Sequence, residues 1–329
     1  MWVVATAVGS ALAVSAWLAA SHVTGERLSL AAMDGLRPHT AATGHGAHPG
    51  QPAGAGSTRL RATVNEGFAP AKLTPARGQT LVVSSRSPSP SPRHGRAPTW
   101  NPGGHYTRTL DDEFNRSAIR AALWEKCFNC GRANGRSAPV NSLEQDCYAS
   151  ANVSEPGDGF LHMDLTNRPS TCGRREPYTG AELDSKWAFS QADGSFEARI
   201  FLPSAGGRAA AWPAWWITNT TTGDEIDIVE GLGGRTAAHT HWYADGKLQS
   251  HGCTSAAPAV GWHDLGVSVN TSAGTATFYY DGAMLCRLPY GGTSPLHLAF
   301  DNSIGPASVR PRSFPDGMLV DWVRAWSRR

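Results

Sequence analysis

A chain of 329 residues with 40% hydrophobic content holds enough apolar material for one large domain or two ordinary ones. Its formal net charge of +2 gives no overall field for nucleic acid, and no nucleic-acid partner is expected. That small sum hides a split: residues 1–105 hold nine Lys/Arg against three Asp/Glu, net +6, whereas residues 106–329 hold twenty against twenty-four, net −4. The first twenty residues, MWVVATAVGSALAVSAWLAA, are apolar, uncharged and end in small side chains, as a secretory signal does. No Lys or Arg precedes the run, so residues 1–25 read as a signal peptide or an uncleaved membrane anchor, and in both cases the chain is exported. Membrane association is expected only if that segment stays on.

Residues 26–105 turn to Pro, Gly, Ala, Ser, His and Arg, with GHGAHPGQPAGAG and SSRSPSPSPRHGRAP as the plainest parts. Such a composition cannot bury enough apolar area to offset its ordering entropy, which predicts a disordered N-terminal linker. One stretch within it, LRATVNEGFAPAKLTPARGQTLVVS, has the makings of a strand or two.

From Tyr106 onward, nine short runs alternate apolar and polar residues between turn signals: GFLHMDLTN, GSFEARIFLP, AWWIT, EIDIVEG, HTHWYA, WHDLGVSVN, TATFYYDG, LHLAFDN and MLVDWVRAWS. That spacing predicts an all-β body, two antiparallel sheets packed as a β-sandwich. Asp281-Gly282 supplies a hairpin turn. Helical periodicity is confined to a short stretch around Ser117–Trp124. All six cysteines (127, 130, 147, 172, 253 and 286) fall in the body, and an even number in an exported chain predicts disulfides with fifteen possible pairings. Cys127 and Cys130 form a CxxC, which keeps a zinc site as the rival reading.

The run GDEIDIVEG carries most of the functional information. Its β-branched residues favour a strand, on which Glu225 and Asp227 share one face and Ile226 and Ile228 the other. Glu230 falls on the wrong parity unless a β-bulge at Val229 resets the phase and brings all three acids to one surface. Crowding carboxylates in this way raises the pKa of some of them, a cost usually tolerated for chemistry or for a cation. A Ca²⁺ site is the alternative use of acids at alternate positions.

The body resembles glycoside hydrolase family 16, the laminarinases, lichenases, agarases and carrageenases built on a concanavalin-like jelly roll. The resemblance rests on LDDEFN, GSFEARIFLP, AWPAWWI, EIDIVE, GWHDLGVSV followed by TFYYDG, and MLVDWVRAW, in that order along residues 106–329. It implies that Glu225 is the nucleophile, Asp227 the helper acid and Glu230 the general acid/base. Trp212 and Trp216, sharing parity, match ring platforms for sugars, with Trp215 facing the other way; Arg199 matches the Arg of E-x-R, and His241 the family's His near the acid/base, with His239 on the same parity. The chemistry stands independently: a retaining glycosidase needs two carboxyl groups about 5–5.5 Å apart. Against the family pattern stand ITNTTTGD before Glu225, GLGGR after Glu230 and Phe300–Gly305 near the end, and loops at these places shape sugar subsites. The reading is thus a secreted, monomeric, retaining endo-glycosidase acting on a β-linked polysaccharide, foremost β-1,3-glucan. It requires no cofactor and no metal, although a structural Ca²⁺ is compatible with it. A transglycosylase, a galactan hydrolase or a non-catalytic carbohydrate-binding protein are the alternatives.

Overall fold

The nine period-two runs are all strands in the computed structural model, which describes residues 97–101, 103–128 and 135–329 and two short strands, Arg61–Val64 and Val82–Ser85, that pair in parallel. Those two strands fall within the stretch expected to hold a strand or two. The signal or anchor and the remainder of the expected linker up to residue 96 lie outside the described residues. The chain divides into two units, Met1–Ser89 and Pro90–Arg329, and the second carries the sandwich.

Its main strands in chain order are β1 (Tyr106–Asp112), β2 (Asp146–Ala149), β3 (Leu161–Leu165), β4 (Tyr178–Asp184), β5 (Gly194–Leu202), β6 (Trp212–Asn219) and β7 (Asp224–Leu232). There follow β8 (Arg235–Ala244), β9 (Lys247–Thr254), β10 (Gly261–Asn270), β11 (Thr275–Tyr280), β12 (Ala283–Pro289), β13 (His297–Ser303) and β14 (Asp316–Arg328). The first sheet runs β9-β8-β7-β6-β13-β4-β2 and ends on the two-residue strand Arg136–Ser137. The second runs β12-β11-β10-β5-β14-β3 and ends on Val153–Ser154, with β1 also paired to β14. Pairing is antiparallel in both sheets except for β4 with β2.

Alternation places the core between the sheets. Phe196, Ala198 and Ile200 of β5 and Leu265, Val267 and Val269 of β10 point inward and are fully buried. Facing them, Trp215 of β6 stacks on Phe300 of β13 with ring centroids 5.7 Å apart. The β11–β12 hairpin turns at Asp281 (φ 51°) and Gly282 (φ 76°), both left-handed, as a tight two-residue turn between twisted strands requires.

Around Ser117–Trp124 the backbone forms turns instead of a helix. Asp112 is the reason: buried at the end of β1, it accepts hydrogen bonds from Trp124 Nε1 (2.9 Å) and Arg116 Nη1 (2.7 Å) and folds the segment back on itself. The sandwich also begins earlier than Tyr106, because Thr99 N donates to Glu197 Oε2 (3.1 Å) and Trp100 stacks on Tyr279.

The cysteines read as disulfides, not as a zinc site. Cys147 is bonded to Cys172, Cys253 to Cys286, and Cys127 is disulfide-bonded as well; among the described residues none is free. The Cys253–Cys286 bond ties β9 to β12, the edge strands of the two sheets.

Candidate active site

Strand β7 contains the bulge its acids require. Trp215 pairs with Val229 and Trp216 with Asp227, so Ile228 is the extra residue on the β6 side. On the β8 side pairing jumps from Asp227–His239 to Glu230–Ala237. Ile226, Ile228 and Val229 all remain buried in the core, and Glu225, Asp227 and Glu230 emerge together on the opposite face. The Tyr280 hydroxyl, coming from the second sheet, donates to the Ile228 carbonyl at 3.1 Å and satisfies a backbone group within the bulge.

The three acids are close enough to couple. Asp227 belongs to two sets whose donor atoms lie within 4.8 Å of one another, Glu225–Asp227–His241 and Asp227–Glu230–His239. Glu230 is held at both oxygens: Trp212 Nε1 donates to Oε1 at 2.9 Å, and His239 Nδ1 lies 2.8 Å from Oε2. His241 is placed differently from the expectation. It pairs across the sheet with Glu225 and sits 3.4 Å from Asp227 Oδ2, and the imidazole beside the expected acid/base is that of His239.

Burial pushes Glu225 up to about 8, helped by the charges of Asp227 and Glu230 and opposed by His241. Asp227 is raised well above the usual carboxylate range, first by burial and then by Glu230, with His239 opposing. Burial pulls the His239 imidazole down, but the hydrogen bond and charge of Glu230 and the charge of Asp227 raise it overall. A cluster like this titrates as a group, some of its members carrying protons near neutral pH. The same two sets of donors could accept a divalent cation, which would occupy the oxygens the acids need for chemistry.

Two of the remaining expected residues sit as parity requires, and one does not join the group. Trp212 lies on the acid face beside Glu230, and Trp216 shares that face, its Nε1 donating to Asp301 Oδ1 at 2.8 Å. Phe128 packs on Trp216 with centroids 5.2 Å apart and leaves it 5% exposed, so Trp212 is the more open platform. Arg199 is on β5 of the second sheet, turned outward, where it pairs with Asp264 (3.2 Å) and Asp321 (3.4 Å) and lies over the Trp262 ring. Its role is to join strands of the opposite sheet.

The acid face also extends beyond the expected motif. Glu230 pairs with Ala214, Ala214 with Asp301, and Asp301 with Glu182, one row across four strands. Burial raises both Asp301 and Glu182 well above the usual range, and neighbouring acids add to it. Asp301 could have been found from LHLAFDN, where it shares parity with His297. Glu182 is harder to find, because YTGAELD alternates only over its last four residues, Ala181–Asp184.

Residues 143–293 match the family model described as Glycosyl hydrolases family 16, a span that contains Glu225, Asp227, Glu230 and both histidines. Among solved structures, the laminarinase catalytic domain from Thermotoga maritima is similar with a TM-score of 0.56 at 20% identity, over 68% of this chain and 99% of that one. The laminarinase from Rhodothermus marinus gives 0.53 at 23%, over 68% and 97%. A chain from work on human gut microbiota that express endo-acting O-glycanases to initiate mucin breakdown gives 0.57 at 18%, over 69% and 92%. No curated protein matches the chain in sequence. Over residues 143–293 the chain thus matches the family 16 glycosyl hydrolases across the acid-bearing strand, on a sandwich that shares the fold of the laminarinases.

Proposed function

We propose that the chain is an exported, retaining endo-hydrolase of a β-linked polysaccharide, with β-1,3-glucan as the foremost substrate. The observation that carries the mechanism is the bulge at Ile228–Val229, which turns Glu230 to the side of Glu225 and Asp227. Glu230, steadied by Trp212 and His239, protonates the glycosidic oxygen as the Glu225 carboxylate attacks the anomeric carbon. The bond from that carbon to the leaving oxygen breaks and a glycosyl–Glu225 ester forms. Glu230 then takes a proton from water, the water oxygen attacks the same carbon, and Glu225 leaves, so configuration is retained overall. Asp227 makes no bond to substrate; it sits between the two and governs their protons. The choice of β-1,3-glucan is supported by the laminarinases among the similar folds. Export is supported by the disulfides, which persist in oxidising compartments.

Azide rescue tests the two roles. Glu225→Ala leaves a gap where azide attacks directly, giving an inverted glycosyl azide. Glu230→Ala still forms the glycosyl-enzyme from an aryl glycoside with an activated leaving group, and azide then releases a product of retained configuration. A Glu230→Gln enzyme as active as wild type on unactivated polysaccharide would refute the assignment, and reducing-sugar release from a panel of glucans and galactans decides the substrate.

A further inference from the structure

Away from the acid face, on the outer side of the second sheet, lies a cavity of about 500 Å³ lined by Trp100, His105, Tyr106, Tyr279, Arg328 and Arg329 among others. Its volume falls in the range of small-ligand sites, about 300–1,000 Å³. The lead-in to the sandwich builds one wall. Thr99 is tied to Glu197 through both its N–H and its hydroxyl, and this sets Trp100 parallel to Tyr279, with centroids 4.5 Å apart and planes at 1°. Gly266 on β10 admits the indole: a Cβ there would come within 2.3 Å of the Trp100 ring.

The end of β14 builds the other wall, and it is cationic. Arg328 donates to Ser268 Oγ at 2.6 Å and Arg329 Nε to Thr107 Oγ1 at 2.7 Å, both neutral partners. Among the described residues neither guanidinium meets a carboxylate, and no Asp or Glu lines the cavity. Glu197, behind the Trp100 wall, is engaged by Thr99. A guanidinium uses only part of its five-donor fork on one hydroxyl, so paired donors remain for a planar anion. Aromatic rings beside such donors suit the apolar face of a pyranose.

We propose that this cavity is a second carbohydrate site, specific for a sugar bearing a carboxylate, which seats its ring against the Trp100, Tyr106 and Tyr279 wall and its anion on Arg328 and Arg329. It would hold an acidic glycan on the side of the domain opposite to the hydrolytic cleft. The proposal does not depend on the cleft chemistry, since no residue is shared.

The test is calorimetric titration of the full chain carrying Glu225→Gln, with two probes: a β-1,3-glucan oligosaccharide oxidised to the carboxylate at C6, and its neutral parent. The oxidised probe is expected to bind the cavity, to weaken as salt is raised, and to lose about tenfold or more in affinity with Arg328→Gln and with Trp100→Ala. The neutral parent is expected to be indifferent to both changes. Arg328→Gln keeps the Trp100–Tyr279 stack, so it remains informative if Trp100→Ala loosens the lead-in. Absence of binding by the oxidised probe, binding that neither variant weakens, or equal losses for both probes would each overturn the proposal.

Discussion

Tyr280→Phe isolates the bulge from the acids it positions. The phenol reaches from β11 to the Ile228 carbonyl at 3.1 Å, at the point where β7 steps out of register with both neighbours. Removing the hydroxyl leaves a buried carbonyl without its partner, a loss of about 1–3 kcal/mol. For a domain of this size that corresponds to a fall in Tm of roughly 2–12 °C. The larger effect is expected in catalysis, because Glu230 is two residues from Ile228 and a misplacement of about 1 Å can cost about a hundredfold in rate. The assay is kcat/KM on soluble glucan well below the Tm, with calorimetry alongside. Tyr290→Phe is the control: that hydroxyl is buried and has no hydrogen-bond partner among the described residues, so its loss is expected to be neutral or slightly stabilising. If Tyr280→Phe keeps both Tm and kcat/KM while folding as wild type, the phenol does not hold the bulge and the reasoning fails.

Stability should fall with rising pH. Glu225 is raised to about 8 by burial first, so its contribution is fully present below the unfolded carboxylate range and lost as pH climbs through the folded value. Asp146 and Asp316, each raised to about 7 by burial first, and Glu182, raised by burial, act in the same direction. The Tm of the ligand-free enzyme is therefore expected to be higher at pH 5 than at pH 8, and Glu182→Gln, which mimics the protonated side chain, should flatten that slope. Trp212→Phe removes the donor 2.9 Å from Glu230 and should lower kcat/KM on polysaccharide about tenfold while sparing aryl glycosides whose leaving groups need no proton. Reduction of the disulfides should lower the Tm, each bridge being worth roughly 2–4 kcal/mol, with Cys253–Cys286 mattering because it clamps the edges of the two sheets.

Strands were most legible where apolar and polar residues alternate over a long run. WHDLGVSVN and TATFYYDG alternate because their outer side chains meet solvent, and both are strands. YTGAELD went unrecognised because its apolar–polar alternation is confined to the four residues Ala181–Asp184. The bulge was legible in an unusual way, as an error of parity at Glu230 that only an extra residue could repair. Which strand Arg199 would face was not legible: alternation puts it outward, but the sheet to which β5 belongs is set by pairings with β10 and β14 that are far away in sequence. The two histidines show the same limit. His239 and His241 share parity, and only the register of β8 against a bulged β7 decides that His239 meets Glu230.

The division of protons among the three acids follows from that same register. Retaining hydrolysis asks Glu225 to be ionised while Glu230 keeps a proton, and two carboxyls in one buried cleft resist such a split unless a third group absorbs the conflict. Asp227 is suited to it: burial first and then Glu230 raise it well above the usual range, and in its neutral form it no longer opposes ionisation of Glu225. Asp227→Asn then replaces one neutral group by another. The substitution is expected to slow turnover less than Glu225→Gln or Glu230→Gln, and to leave the acidic limb of the kcat/KM profile where it stands in wild type. If Asp227 is instead ionised in the working enzyme, the same change removes a negative neighbour from Glu225, and the acidic limb moves to lower pH. That displacement, measured on a soluble glucan across the acid range, would show that the proton resides elsewhere in the cluster and that Asp227 acts by its charge.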